Sequence, residues 1–208
     1  LSAVVSVVAV SLKKKPAYFS SEGPVTWQGS QWHDYLLNLD VEIDENWLHY
    51  DNGIFETGIG GPESFYWGVM FPAATLQQHG GDMLSKVAVY DNTADTLELL
   101  VSYGGDYAPE VLVHTQTFEL TGSKSVVEID MTSSLPIDRN ENLWIVLSTN
   151  NGINYPAAVC SDSGDPNGRW LSMDGTTWED IVDYGLNYTW MIRAYVSDES
   201  GSTVAELK

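Results

Sequence analysis

Hydrophobic residues recur with a period of two along most of this chain, and that alternation constrains the fold more than any other feature. Leu37, Leu39, Val41 and Ile43 alternate with Asn38, Asp40 and Glu42, and Leu97, Leu99, Val101 and Tyr103 occupy one face of a second run. Side chains two apart share a face of a strand, so such runs read as half-buried β-strands and not as helix faces. The same logic predicts strands at 47–50, 66–71, 84–90, 111–118, 125–131, 157–160, 169–173 and 188–196. The segment 143–149 begins LWIVL, apolar on both faces, and is expected at the centre of a sheet. Between these runs stand Asp51-Asn52-Gly53, Gly104-Gly105-Asp106, Thr121-Gly122-Ser123, Asn150-Asn151-Gly152 and Asp174-Gly175, residues that tolerate positive φ and predict a high hairpin count. A helix of about two turns is expected from Pro72 to His79, with Pro in the first turn and Gly80-Gly81 as its stop. The expected class is all-β: a two-sheet antiparallel β-sandwich of jelly-roll type with one short helix.

Charge narrows the partners. The 208 residues hold 9 Lys and Arg against 29 Asp and Glu, a formal net charge of −20. A field of that sign repels phosphate backbones and anionic lipid, so nucleic-acid binding and membrane insertion are set aside in favour of neutral or cationic partners. Eight Trp and eleven Tyr within 43% hydrophobic content belong to a chain that folds. The first 12 residues are apolar but only about half the ~20 a spanning helix needs, and Lys13, Lys14 and Lys15 follow the run where a secretory signal would precede it. They read as a strand, and the lack of an initiating Met as the mark of a processed piece. Three segments are expected: 1–46, either the end of a preceding fibronectin-like domain or a strand segment packed on the main sheet; 47–197, the sandwich; and 198–208, a polar tail.

No catalytic constellation is complete. Glu42-Ile43-Asp44-Glu45 approaches the Glu-x-Asp-x-Glu strand of retaining jelly-roll glycosidases, but Asn46 stands where the acid belongs, and Glu45 points to the opposite face from Glu42 and Asp44. Glu128-Ile129-Asp130 fails likewise at Thr132. Cys160, the single cysteine, sits in PAAVC without a local base and reads as core. His33, His49, His79 and His114 lie far apart, with His114 expected to face solvent. The chain is therefore expected not to be an enzyme.

Hard cations suit clustered carboxylates and carbonyls. Asp138-x-Asn140-x-Asn142 lacks the later glycine and glutamate of an EF-hand, whereas Asp162, Asp165 and Asp174 stand in turn-rich segments where a structural calcium site is expected. Trp144, Trp178 and Trp190 lie in patterned segments and are expected to pack in the core. Trp170, Tyr107, Tyr155 and Tyr184 lie beside loops and are the candidate ligand-binding aromatics, since exposed rings stack on sugars.

The order of motifs adds a resemblance. Trp47-x-x-Tyr50-Asp51-x-Gly53, Gly58-Ile59-Gly60, Phe71-Pro72, Leu84-x-Lys86-Val87, Ile137-Asp138, Tyr155-Pro156-Ala157, Asp162-x-Gly164, Asp174-Gly175-x-x-Trp178 and Gly185-Leu186-Asn187-Tyr188-x-Trp190 follow one another as in a jelly-roll module of Bacteroidetes surface proteins. The stretch from Trp47 to Val196 resembles the cleaved-adhesin, choice-of-anchor J group. The resemblance implies an extracellular or cell-surface, non-catalytic adhesion or recognition module of a larger bacterial chain with neighbouring domains, calcium-stabilised, its partner a host or matrix protein or a glycan. The alternative is a carbohydrate-binding appendage of a glycan-processing enzyme, or such an enzyme itself.

Overall fold

The computed structural model describes residues 46–61, 64–161 and 164–198. The chain divides into Leu1–Ile43 and Asp44–Lys208, and the described residues belong to the second unit. The N-terminal strand segment, including Glu42, Asp44 and Glu45, lies outside them, as does Asp162.

Thirteen strands are described: β1 (Trp47–His49), β2 (Thr57–Ile59), β3 (Phe65–Phe71), β4 (Asp82–Tyr90), β5 (Ala94–Tyr103), β6 (Val111–Thr121), β7 (Val126–Pro136), β8 (Leu143–Thr149), β9 (Ala157–Cys160), β10 (Trp170–Ser172), β11 (Glu179–Asp180), β12 (Thr189–Trp190) and β13 (Ile192–Asp198). One layer is a six-stranded antiparallel sheet in the order β11-β10-β3-β8-β5-β6. The other holds β1-β13-β4-β7 and the short ladder β12-β9-β2. These two ladders are continuous, because Met191 joins β12 to β13 and donates its N–H to the Ala158 carbonyl of β9 at 3.0 Å. The result is an antiparallel sandwich in which the chain passes repeatedly from one layer to the other.

Alternation decides what each strand buries. Phe65, Trp67, Val69 and Phe71 of β3, Leu97, Leu99 and Val101 of β5, and Leu143, Ile145 and Leu147 of β8 face the opposite layer, where Leu84, Val87, Val89, Trp190, Ile192, Ala194 and Val196 meet them. Strand β8 is buried along its whole length between β3 and β5, as LWIVL predicts. Packing between the layers is tight: the void lined by Trp67, Leu97 and Leu147 is about 10 Å³, room for a single water. Cys160 is buried, and Trp144 and Trp190 are fully buried.

Several details depart from expectation. The turns at Gly53, Gly104, Gly105, Gly122 and Gly175 do have positive φ. Only those joining β5 to β6 and β10 to β11 close hairpins among the described residues; the turn at Gly122 carries the chain between layers, and that at Gly53 leads from β1 towards β2 within one layer. A turn's chemistry sets its local bend, but not which strand lies beside the next. Helix α1 (Ala73–Leu76) is one turn followed by a 3-10 turn at Gln77–His79. His114 is buried, not solvent-facing, because the register that sets Phe118 opposite Leu97 continues to set it opposite the inward Val101. Strand β13 extends to Asp198, which pairs with Asp82, one residue into the expected tail.

Candidate ligand-binding face

The outer face of the six-stranded sheet is built by the residues that alternate with the core. On β3 these are Tyr66, Gly68 and Met70, which pair with Ser148, Val146 and Trp144 of β8. On β10, Trp170 pairs with Gly68 and Ser172 with Tyr66. The glycine is required: a Cβ at Gly68 would come within 2.7 Å of the Ile145 carbonyl oxygen.

Four aromatic rings gather here. Trp144 is the floor, fully buried, and its Nε1–H donates to the Gly105 carbonyl at 3.1 Å. Trp170 and Trp178 pack on it at centroid distances of 5.3 and 5.7 Å. Tyr107 stands edge-on to Trp170 at 6.5 Å with an interplanar angle of 76° and is 78% exposed. Met70, Val146 and Leu100 complete the apolar base. The indole N–H groups of Trp170 and Trp178 are shielded from solvent and have no hydrogen-bond partner among the described residues.

Two loops shape this face. Asn142 donates through Nδ2 to the Gly105 carbonyl at 2.9 Å and to Asp106 Oδ1 at 3.0 Å, tying down the loop that carries Tyr107. Across the sheet, Gly175 lies over the Tyr66 ring, so that a Cβ there would approach the ring to 3.2 Å. Asp174 organises that second loop. Its carboxylate accepts from the N–H groups of Thr177 at 2.7 Å and Thr176 at 2.8 Å, and from the Thr177 hydroxyl at 3.1 Å. These donors hold its carboxyl well below the usual carboxylate range.

Of the four aromatics singled out from sequence, the structure brings Trp170 and Tyr107 together. Tyr155 lies beyond the other end of β8, in left-handed conformation at φ 57°, with its carbonyl accepting from Asn92 Nδ2 at 2.8 Å. Tyr184 follows β11 and donates to Glu179, which alternates with the outward Asp180 and Trp178, so it belongs to the opposite face of that strand. That short charge-assisted bond raises the Tyr184 phenol above its ordinary value. Trp178, expected in the main core, instead packs on Trp144, and no periodicity marks this because it sits in a loop.

Of the carboxylates singled out for metal, Asp162 lies outside the described residues, and Asp165 and Asp174 each serve a turn of their own. Asp165 uses Oδ1 to cap a 3-10 turn through the Asn167 N–H at 2.9 Å, and Asp174 spends both oxygens on its own loop. Among the described residues, no three His, Cys, Asp or Glu side chains stand close enough to share a metal ion. Asp138 accepts from the Asn140 N–H in an Asx turn. Glu128 and Asp130 lie on the solvent face of β7 beside Lys86, whose Nζ is 3.0 and 3.9 Å from them.

A second concavity opens where β1 passes the end of β3 and helix α1. It measures about 450 Å³ and is lined by Trp47, His49, Tyr50, Phe71, Thr75 and Gln78. Tyr50 stacks on Phe71 at 5.2 Å and donates its hydroxyl to the Met70 carbonyl at 2.8 Å. Burial, with the Asp165 carboxylate nearby, pushes its phenol well up.

The class these residues define is an antiparallel jelly-roll β-sandwich. No protein-family model matches the chain, and no curated protein matches it. Among solved structures, the chain is similar to the cysteine protease and lectin-like domains of a surface-layer-associated protein of Clostridium difficile. The TM-score is 0.47 at 15% identity, over 65% of this chain and 32% of that one.

Proposed function

We propose that this sandwich is a non-catalytic recognition module of an extracellular or surface-displayed protein, with a glycan as its ligand and the outer aromatic face as its seat. One observation carries the reading: Trp170 and Tyr107 meet at 76° above a floor of indoles, with Tyr107 mostly exposed. Two rings at that angle form an L, in which a pyranose face rests on Trp170 while Tyr107 flanks its edge. The acidic surface favours neutral or cationic ligands over polyanions. Glycan-array binding that is lost in Trp170→Ala and Tyr107→Ala is the expected result. Binding that survives both substitutions overturns the seat, and hydrolysis of any polysaccharide overturns the non-catalytic reading.

A second reading, adhesion to a protein, is favoured by the start of β6, where Val111, Leu112 and Val113 are exposed on a strand that, among the described residues, pairs in its sheet only with β5. Leu112→Lys separates the two, since it abolishes edge docking and leaves glycan binding intact. Structural calcium enters the proposal only through the loop that holds Asp165. A thermal midpoint that is the same in saturating calcium and in chelator removes it, because a ligand at 100 times its Kd adds ~2.7 kcal/mol.

A further inference from the structure

We infer that the groove beside β1 is a second, separate glycan subsite, built to take one neutral, hydroxyl-donating pyranose. The inference stands on the groove's own chemistry and not on the outer face. At about 450 Å³ the groove is within the range that holds a small ligand, and its lining combines aromatic walls with polar tips. Trp47 is held edge-on against Tyr195 at 5.0 Å and 60°, which fixes the plane of its indole. Tyr50 stacks at 12° on the buried Phe71, and both border the groove.

The polar groups are oriented by the bonds they already make. His49 Nδ1 lies 2.9 Å from the Asp51 carbonyl oxygen. A carbonyl only accepts, so Nδ1 carries a proton and the bond fixes the ring, with Nε2 as its remaining polar atom. Asp51 is in turn fixed by Arg193, whose Nε and Nη2 reach its two carboxylate oxygens at 3.0 and 2.5 Å, so the turn that aims His49 is anchored. Gln78 is oriented by the same logic one step further out. His79 Nδ1 donates to Asp82 Oδ2 at 3.0 Å, which leaves His79 Nε2 to accept from the Gln78 amide nitrogen at 3.3 Å. The Gln78 amide oxygen is then the remaining acceptor, and the Thr75 hydroxyl adds a group of either sense.

Among the described residues no Asp, Glu, Lys or Arg side chain lines the groove, so a charged ligand gains little there for the water it loses. A sugar hydroxyl meets the opposite situation, since it brings donors to fixed lone pairs while its apolar face covers Trp47.

The test uses the full chain, so that any part of the protein that fills the groove reveals itself. Indole N–H resonances are followed by 1H-15N NMR while methyl glycosides of glucose, galactose, mannose and N-acetylglucosamine are titrated to tens of millimolar. Trp47→Phe assigns the Trp47 signal. The expected result is a saturable shift of the Trp47 resonance for at least one glycoside, weakened about five-fold in Gln78→Leu, the loss of one hydrogen bond. It persists in Tyr107→Ala. Movement of the Trp170 and Trp178 signals with Trp47 unmoved overturns the groove and leaves the outer-face reading standing. The reverse pattern upholds the groove and counts against the outer face. A Trp47 signal that no glycoside moves, or that lysine amide moves more than any glycoside, overturns the inference.

Discussion

The two faces of the six-stranded sheet are made by the same strands and reach burial by different routes. The inner face is aliphatic and regular: Leu97, Leu99, Val101, Leu143, Ile145 and Leu147 interdigitate with the second layer. Among the described residues the outer face has no second layer, and it is covered by large rings and two loops, Trp144 beneath Trp170 and Trp178, and Gly175 lying over Tyr66. Aliphatic side chains need a partner sheet to leave water, whereas an indole spans enough area to cover its neighbour. Coverage by rings is incomplete at the rim, where Tyr107 stays exposed beside Trp170.

If the outer cluster is a genuine second core, Trp144→Ala destabilises the domain by about 3–5 kcal/mol, as much as the inner-face substitution Ile145→Ala at about 2–5 kcal/mol. Both are read from chemical denaturation. A loss below about 1 kcal/mol for Trp144→Ala would break the comparison.

Hydrogen bonding sharpens it next. Trp190, in the inner core, donates its Nε1–H to the Trp170 carbonyl at 2.9 Å, while the Trp178 indole N–H is shielded and unpaired among the described residues. Trp190→Phe therefore leaves a buried acceptor unmet and costs about 1–3 kcal/mol, whereas Trp178→Phe removes an orphan donor and stays within about 1 kcal/mol of the parent.

Acid tests the loops that hold the layers. Asp91 is buried at the crossing from β6 to β7, and burial alone would raise its carboxyl. The Ser123, Gly122 and Thr121 donors outweigh that and hold it below the usual range, as the Thr177 and Thr176 donors do for Asp174. A folded-state pKa below the unfolded one contributes stability that is present above the unfolded value, near 3.9 for Asp, and lost as pH falls through the folded value. The thermal midpoint should then hold from neutral pH to about 4 and decline below it. Tryptophan near-UV dichroism should fall with it as the Asp174 loop releases the outer face. A midpoint that drops between pH 7 and 5 would contradict this assignment.

The smallest stability effect carries the largest functional one. Tyr107→Ala, at a residue 78% exposed, should change stability by less than about 0.5 kcal/mol while removing ligand binding at the outer face.

Much of the fold was legible as periodicity. Strands β3, β4, β5, β6, β7, β8 and β13 fall within a few residues of their predicted spans, and LWIVL is the buried central strand it looks like. The two-residue β11 and the three-residue β2 were missed, because so few residues carry no period. At the site, Trp170 and Tyr107 were singled out as loop-flanking aromatics, but nothing in the sequence said that they meet. Tyr155 and Tyr184 carried the same local signal and lie elsewhere. The groove was invisible: Trp47 and Tyr50 read as motif residues, and Thr75 and Gln78 as a helix face.

By itself the sequence determined the class of the molecule, because side-chain alternation is a property of neighbours along the chain and survives whatever the strands pair with. It also determined the net charge of −20. Only the tertiary structure decided which faces stay open. Pairing in the sheets joins residues far apart in sequence, such as Trp170 with Gly68 and Trp47 with Tyr195. A binding surface exists only where such distant strands set their outward residues side by side.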